Sequence, residues 1–303
     1  MTIKIMVILT MSDINEWCLK TIEIAKNKNY LDKLLEIYPA ELPPPRPLSA
    51  SIKNEIVRLY NEKKYRELVK FLLSLKENPF PIEHPYASLL RHLNVNEREN
   101  VIARNPKLLE ILSDSLVSLG LNNIIKGVER PKDINRALGA AFKSWIHKNF
   151  VVKPFKVVKD VEHLLTCTHE IICMYAGSDV EISRFIKQRL LLHEPEEGFY
   201  NRDIIIRLRD MYIIGEARFL STPGGSQTRD LENTLMFVEL MENIGRDLEK
   251  KGIRVKGIVL LDGIVWFYEE YLKRIKNKAT GNRVIMSALF LRDYLLDIFN
   301  KSL

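Results

Sequence analysis

The chain has 303 residues, of which 46% are hydrophobic and 28% are charged, a composition typical of a folded globular protein. It excludes a chain that stays disordered, and no stretch approaches the roughly eighteen consecutive apolar residues that a membrane span needs. The formal net charge of +7 and a pI near 9.1 favour a polyanionic partner, although a lysine-rich surface is also typical of thermophilic proteins. The three cysteines lack metal-ligand spacing and indicate neither a disulfide framework nor a zinc site, so we expect a reducing cytoplasm.

The first third of the chain is predicted to be mainly helical. Apolar residues recur at helical spacing over 13–26 and 30–37, and again over 49–121, where Gly120 supplies a stop. Prolines crowd the segment 42–47 between these two parts, and such a run cannot continue a helix. The prolines therefore predict an extended spacer.

The domain division follows from this pattern. We expect a mainly helical N-terminal region over 1–125, with the Pro-rich spacer at 42–47, and a catalytic domain over 126–303. The second part opens with a helix predicted over 133–150, on which Lys143 is one of several basic residues outside the apolar stripe.

A hairpin is predicted near residue 210. Two short apolar runs, Ile204 to Leu208 and Met211 to Ala217, are separated by the polar pair Arg209-Asp210. If that pair forms the turn, opposed positions sum to 419, and Asp203 lies directly opposite Glu216. Opposed residues of an antiparallel pair have Cβ atoms about 4.5 to 5.5 Å apart, so the two carboxylates would share one region of space.

The same spacing brings a cation to the two acids. Side chains alternate with period two along a strand, so Arg218 projects from the same face as Glu216. An open site of two carboxylates suits Mg²⁺, which takes one or two carboxylates, keeps several waters and accepts phosphate oxygens. The alternative is a cross-strand acidic pair on a solvated face, with Arg218 as its salt-bridge partner.

A glycine-rich segment follows the hairpin and leads into a helix predicted over 228–250. It reads Gly224-Gly225-Ser226-Gln227. Small residues let a backbone approach a ligand closely, and a helix N-terminus attracts anions. Gly225, Ser226 and Gln227 are therefore candidates for contacts with a bound anion.

The C-terminal part is predicted to contain a strand over 255–261, a turn at Asp262-Gly263, a second strand over 264–268 and a final helix over 283–299. Between the last two lies the densest basic cluster of the chain, which includes Lys273, Arg274 and Lys276. Two interpretations stay open for it: a loop that contacts phosphates, or a loop that is merely solvated.

The order of these motifs resembles that of the PD-(D/E)xK nucleases, specifically the type II restriction endonucleases. The order is Asp203, then Gly215-Glu216-Ala217-Arg218-Phe219, then Gly-Gly-Ser-Gln, then a helix and an apolar strand. Further stretches look similar to the same group: FPIEHPY at 80–86, ARNP at 103–106, PKDINRALGAAFKSW at 131–145 and LLDGIVW at 260–266. The resemblance covers about residue 78 to the C-terminus.

Two departures from the family pattern stand out. The Pro-Asp of the family is Arg202-Asp203 here, and its Glu-x-Lys is Glu216-Ala217-Arg218. Arginine for lysine is not a conservative exchange, because the guanidinium is planar and does not give up its proton. Arg218 is therefore excluded as a general base.

The resemblance implies a fold, a reaction and a partner. The fold is an α/β restriction-endonuclease-like core, a central mixed sheet flanked by helices, with an N-terminal helical region. The reaction is Mg²⁺-dependent hydrolysis of phosphodiester bonds in double-stranded DNA at a short specific sequence. It implies a homodimer in a prokaryotic cytoplasm, paired in function with a cognate DNA methyltransferase. Two alternatives stay open: a catalytically inactive DNA-binding protein of the same fold, and a repair or defence nuclease without sequence specificity.

The resemblance also implies roles for single residues. Asp203 and Glu216 hold the metal, Arg218 stabilises the charge of the transition state, and Gln227 assists the site or contacts the DNA backbone. The candidate DNA contacts are Asn135, Arg136, Lys143, Gly225, Ser226, Lys273, Arg274 and Lys276. For Asn135 and Arg136 the open alternative is that the first caps the helix and the second is solvated.

Overall fold

The computed structural model describes residues 13–27, 29–39, 45–75, 78–130, 134–190 and 202–301. Within these ranges the chain forms the following α-helices: α1 Glu16–Asn27, α2 Tyr30–Leu34, α3 Ala50–Asn61, α4 Tyr65–Ser74, α5 Pro85–His92, α6 Val95–Arg104, α7 Pro106–Leu119, α8 Leu121–Val128, α9 Ile134–Asn149, α10 Asp179–Arg189, α11 Gly225–Glu249, α12 Glu269–Lys278 and α13 Leu291–Lys301. Its strands are β1 Phe155–Val157, β2 Ile172–Tyr175, β3 Ile204–Leu208, β4 Met211–Leu220, β5 Arg254–Gly263 and β6 Val284–Met286.

The chain divides into two compact units. One contains residues 41–134 and the other contains 1–40 together with 135–303. This division corrects the expected one at 125, because α1 and α2 belong to the unit that holds the sheet. Trp17 and Tyr30 are buried in the same apolar cluster as the strands, and the Asn15 N–H donates to the Ala279 carbonyl at 2.8 Å.

The unit over 41–134 is helical, as the apolar periodicity predicted. Its helices α3 to α8 bury a cluster that includes Ile56, Leu72 and Leu112. Helix α3 begins at the cap residue Ser49, whose hydroxyl accepts from the Ile52 N–H. Gly120 ends α7 with a φ of 78°, a conformation that glycine adopts without the steric cost of a Cβ.

The other unit is an α/β layer structure built on a six-stranded mixed sheet in the order β1-β2-β3-β4-β5-β6. Strands β2, β3 and β4 form an antiparallel meander, whereas β1 runs parallel to β2, β5 to β4, and β6 to β5. Helix α11 provides the crossover from β4 to β5. The order α9, β2, β3, β4, α11, β5 confirms the expected restriction-endonuclease-like core.

Three predictions near the C-terminus are wrong: the turn at Asp262-Gly263, the strand over 264–268 and the start of the last helix at 283. Asp262 and Gly263 end β5 rather than forming a turn, and residues 264–266 form a 3₁₀ turn rather than a strand. The segment 284–286 is the edge strand β6, paired with 258–260, and not the start of the last helix. The end of β5 and strand β6 both have hydrogen-bond partners elsewhere in the chain: the Gly263 N–H donates to the Tyr30 hydroxyl, and residues 284–286 pair with β5.

A disulfide joins Cys167 to Cys173, with a Cα–Cα distance of 6.4 Å. This corrects the expectation that the cysteines are unpaired, because the chain turns back over six residues just before β2. Cys18 is free and buried. In the part of the chain that the structure describes, no single helix has the length and apolar character needed to cross a membrane. Helices α7 and α8 have that length and apolar character only when taken together, and the two are bent by 106° relative to each other.

Candidate active site

The hairpin of β3 and β4 has the register that the sequence predicted. Leu208 pairs with Met211 and Ile204 with Gly215, and the turn places Arg209 at a φ of 57°. One position beyond the last pair, the Asp203 N–H donates to the Gly215 carbonyl at 3.1 Å. Asp203 therefore lies beside the strand segment that carries the second carboxylate.

Glu216 is the buried acid of the site, with 3% of its surface exposed. Its Oε2 forms an ion pair with Nη1 of Arg202. Its Oε1 lies 3.0 Å from Nη2 of Arg218 and accepts from the Thr234 hydroxyl at 3.1 Å. Both oxygens of this carboxylate thus have cationic or hydroxyl partners.

Arg202 is a site residue that the sequence analysis did not assign. It is 6% exposed, and its guanidinium carbon lies 3.9 Å from the centre of the Phe237 ring. Burial lowers the pKa of Arg202 from its usual value, and the Glu216 carboxylate opposes that shift. The only sequence signal was the departure from the family's proline at this position, which gave no indication of a partner.

Asp203 lies closer to solvent. Its Oδ2 accepts from the Ala217 N–H at 2.9 Å and lies 3.7 Å from Nη1 of Arg218. Burial raises the pKa of Asp203 above its usual value, although Arg218 and the Ala217 N–H act in the opposite direction. The structure brings the two predicted carboxylates and the predicted arginine together.

Arg218 bridges the two acids, with one guanidinium nitrogen toward each. Burial alone would lower the pKa of Arg218, but the Glu216 and Asp203 carboxylates outweigh burial and raise it. The guanidinium therefore stays protonated. Its side chain is 39% exposed, far more than the 7% of Arg202, so it is the cation on the solvent side of Glu216.

A pocket opens in front of Arg218. The residues that line it come from four parts of the sheet unit: Tyr38 from the N-terminal segment, Leu138, Gly139 and Phe142 from α9, Asp203, Ala217, Arg218, Phe219 and Leu220 from the hairpin, and Gln227 and Asp230 from α11. Asp203 and Arg218 reach the pocket directly, whereas Glu216 lies behind Arg218. No motif in the sequence indicated that Tyr38 or Asp230 belongs to the site.

The glycine-rich segment forms the entry to α11. Gly224 and Gly225 have φ values of 93° and 58°, and Gly225 and Ser226 are exposed in the first turn. The Gln227 Oε1 accepts from the Ser221 and Thr222 N–H groups at 2.8 and 3.0 Å. Gln227 thus holds this loop while it lines the pocket, and a direct part in the reaction stays a prediction.

The predicted DNA contacts on α9 stay predictions, and the structure describes the side chain of one of them, Lys143. Lys143 is half-buried, and its Nζ donates to the Gly177 carbonyl at 2.6 Å and to Asp179 at 2.8 Å. Asn135 and Arg136 lie within α9, but their side chains lie outside the described residues.

The basic cluster was predicted to lie in a loop, but most of it belongs to helix α12. Arg274 pairs with Glu232 at 2.6 Å and also with Glu270, so its charge is already compensated. Lys276 is half-buried and Lys273 is exposed. Of the three predicted phosphate contacts here, Lys273 is the most accessible.

The carboxylates of Asp203 and Glu216 suit Mg²⁺, on the condition that Arg218 moves away from Glu216. Among the described residues no three His, Cys, Asp or Glu side chains form a ready-made metal site. However, Mg²⁺ commonly uses only one or two carboxylates and fills its other positions with water and phosphate. Asp203 presents a carboxylate to the pocket, whereas Glu216 would reach the pocket only if Arg218 turned away from it. The residues therefore fit the ion.

The comparisons with known proteins give one match. The chain matches a family model described as Tsp45I type II restriction enzyme over residues 15–298, nearly its whole length. No curated protein and no solved structure matches it.

Proposed function

The chain belongs to the Tsp45I type II restriction enzyme family, and from this premise we propose that it hydrolyses double-stranded DNA at a short specific sequence with Mg²⁺ held by Asp203 and Glu216. Membership makes it a site-specific deoxyribonuclease. The observation that supports the site is that Arg218, which lines a pocket together with Asp203, lies within ion-pair distance of both carboxylates.

In this proposal the protein groups bind, orient and stabilise. Asp203 and Glu216 supply hard oxygen ligands from adjacent strands. When bound, Mg²⁺ supplies positive charge for the scissile phosphate and favours ionisation of water. Arg218 turns from Glu216 toward the phosphate, where its permanent charge stabilises the additional negative charge of the transition state.

The proton of the attacking water needs an acceptor other than Arg218. The guanidinium carries five N–H donors and no acceptor, and it does not deprotonate in proteins. We therefore assign the acceptor role to the substrate itself, through the phosphate on the 3′ side of the cut. Gln227 keeps the loop before α11 in place and is our candidate for a contact with the DNA backbone.

The working form that we propose is a homodimer, because two symmetric sites are the simplest way to cut both strands of a palindrome. We place its action in the cytoplasm, together with a methyltransferase that protects the host's own sites. Lys143, Gly225, Ser226 and Lys273 remain proposed DNA contacts.

A plasmid digest with Mg²⁺ tests the activity. We expect discrete bands. A smear would indicate a nuclease without sequence specificity, and an uncut plasmid would indicate a DNA-binding protein that has lost catalysis.

Alanine substitutions test the site. Asp203→Ala and Glu216→Ala should each abolish cleavage while specific DNA binding in Ca²⁺ stays measurable. The matched control is Asp210→Ala on the same hairpin. Asp210 pairs with Arg254 at the turn, about 20 Å along the strand from Glu216 at ~3.3 Å per residue, so its loss should leave the rate unchanged. Full cleavage by either site variant would remove that residue from the metal site.

A further inference from the structure

Glu216 is held from two sides that differ in character. On the inner side, Arg202 pairs with Oε2 and is almost wholly buried. On the outer side, Arg218 contacts Oε1 at 3.0 Å and is more than one-third exposed. One arginine is therefore fixed by its surroundings, whereas the other can exchange Glu216 for a different partner.

The surroundings of Arg202 hold it in one orientation. Its guanidinium lies over the Phe237 ring of α11, an arrangement in which a cation is attracted to the face of an aromatic ring. From the same helix, the Thr234 hydroxyl lies 3.1 Å from Oε1 of Glu216 and 2.7 Å from the Asp230 carbonyl. Helix α11 thus sets the position of both groups that contact Glu216 from its buried side.

A carboxylate buried without a cation is costly, and it turns toward whatever donors are in reach. If Arg202 were absent, Arg218 would be the cation in contact with Glu216, beside the uncharged Thr234 hydroxyl. Both oxygens would then associate with the arginine that the reaction needs elsewhere. Arg202 prevents this arrangement because it keeps Oε2 occupied.

We propose that Arg202 is a positioning residue of the active site: with Thr234 it holds the Glu216 carboxylate so that Oε1 alone remains on the pocket side for exchange between Arg218 and the metal. This inference rests on the proposed function, in which Glu216 is a metal ligand. Arg202 would not touch the metal but would hold its ligand Glu216 in place. Removal of such a supporting contact typically lowers metal affinity or activity by about 10- to 100-fold.

The test compares Arg202→Met, Arg202→Lys and the control Arg207→Met. Arg207 is half-buried in β3 of the same sheet and donates to the Leu164 carbonyl at 2.7 Å, so its loss also removes a structural contact. We expect Arg202→Met to lower the single-turnover cleavage rate and the Mn²⁺ affinity of the DNA-free protein, measured by calorimetry, by about 10- to 100-fold each. Arg202→Lys should recover part of both, because it restores the charge beside Glu216.

The control variant Arg207→Met distinguishes a positioning role of Arg202 from a contribution to the stability of the fold. Arg207→Met should lower the resistance to urea without changing the rate or the Mn²⁺ affinity of the folded protein. If Arg202→Met behaves like this control, the positioning role is refuted. If Arg202→Met does not fold, Thr234→Val decides: we expect a smaller loss of both quantities, and wild-type values would refute the role.

Glu216→Gln distinguishes a failure of this inference from a failure of the proposed function. If Glu216→Gln cleaves like the wild type, Glu216 is not a metal ligand and the proposed site is wrong. If Glu216→Gln is inactive while Arg202→Met keeps the wild-type rate and affinity, the site stands and only the role of Arg202 is wrong.

Discussion

Replacing Asp262 with asparagine should change how the stability of the sheet unit depends on pH. Asp262 lies at the end of β5 and is fully buried. Its carboxyl group accepts hydrogen bonds from the Tyr30 hydroxyl at 2.9 Å, the Tyr38 hydroxyl at 3.3 Å, the Ala288 N–H at 3.2 Å and the Ser287 hydroxyl. Burial raises the pKa of Asp262 to about 7 against the opposing effect of these hydrogen bonds.

The size and sign of the effect follow from that pKa. Between the unfolded value of 3.8 and the folded value of about 7, the folded protein holds a proton that the unfolded chain has released. Stability contributed by this proton is fully present below pH 3.8 and is lost as the pH rises toward 7. At about 1.4 kcal/mol per pH unit, the whole loss is roughly 4 kcal/mol, of which about 2 kcal/mol falls between pH 5 and pH 7, because the folded group is half titrated at pH 7.

Asparagine keeps the shape of the side chain and removes the titration. The free energy of unfolding of the wild type, measured relative to that of Asp262→Asn, should therefore fall from pH 5 through pH 7 and level off near pH 8. Urea unfolding followed by tryptophan fluorescence measures this difference, because Trp17, Trp145 and Trp266 all lie in the sheet unit and none lies in the helical unit. A difference that stays constant from pH 5 to pH 8 would refute the reasoning.

Three further predictions follow from the site and its surroundings. Gly215→Ala should destabilise the sheet unit by about 1 to 3 kcal/mol in the same urea assay, because a Cβ there would lie 2.6 Å from Cγ2 of Ile204; an unchanged midpoint would contradict that packing. Arg218→Ala should slow single-turnover cleavage by roughly 10² to 10³ while Arg218→Lys keeps part of the rate, and an alanine variant as fast as the wild type would make Arg218 only a salt-bridge partner. DNA affinity, measured by fluorescence anisotropy, should fall by a factor of about 10³ to 10⁵ between 50 and 200 mM salt if the protein contacts roughly 6 to 10 phosphates. Lys273→Ala should reduce the slope of log affinity against log salt concentration by about one. An affinity that does not respond to salt would exclude the basic interface.

The sequence predicted the hairpin and its register because both are local. A two-residue turn fixes the pairing of the strands on either side, so the position of Asp203 beside Glu216 follows from counting. The helix α11 and the strand β5 follow from periodicity in the same way. The convergence of the site residues was therefore accessible without the fold.

The sequence could not predict what depends on distant partners. Asp262-Gly263 is a common turn signal, but Tyr30 and Tyr38 bind Asp262 from more than 220 positions earlier in the chain and hold it within a strand end. The same contacts place residues 30–38 in the sheet unit and bring Tyr38 to the pocket. Arg202 was missed for a similar reason, because Phe237 on α11 provides the surface on which it is buried.

The arrangement also explains how two opposed carboxylates coexist in a folded protein. Their mutual repulsion, which the register makes unavoidable, is balanced by two arginines: Arg202 inside and Arg218 outside. A lysine at position 218 would offer one compact ammonium, whereas the planar fork of Arg218 reaches Glu216 at 3.0 Å and Asp203 at 3.7 Å with separate nitrogens. In the proposed function Asp203 and Glu216 would hold a divalent cation, whose positive charge would compete with Arg218 for both acids. In the proposed function the displaced Arg218 would turn to the phosphate of the DNA, in competition with Asp230, another acid that lines the pocket, so metal binding and the delivery of positive charge to the scissile phosphate would be coupled.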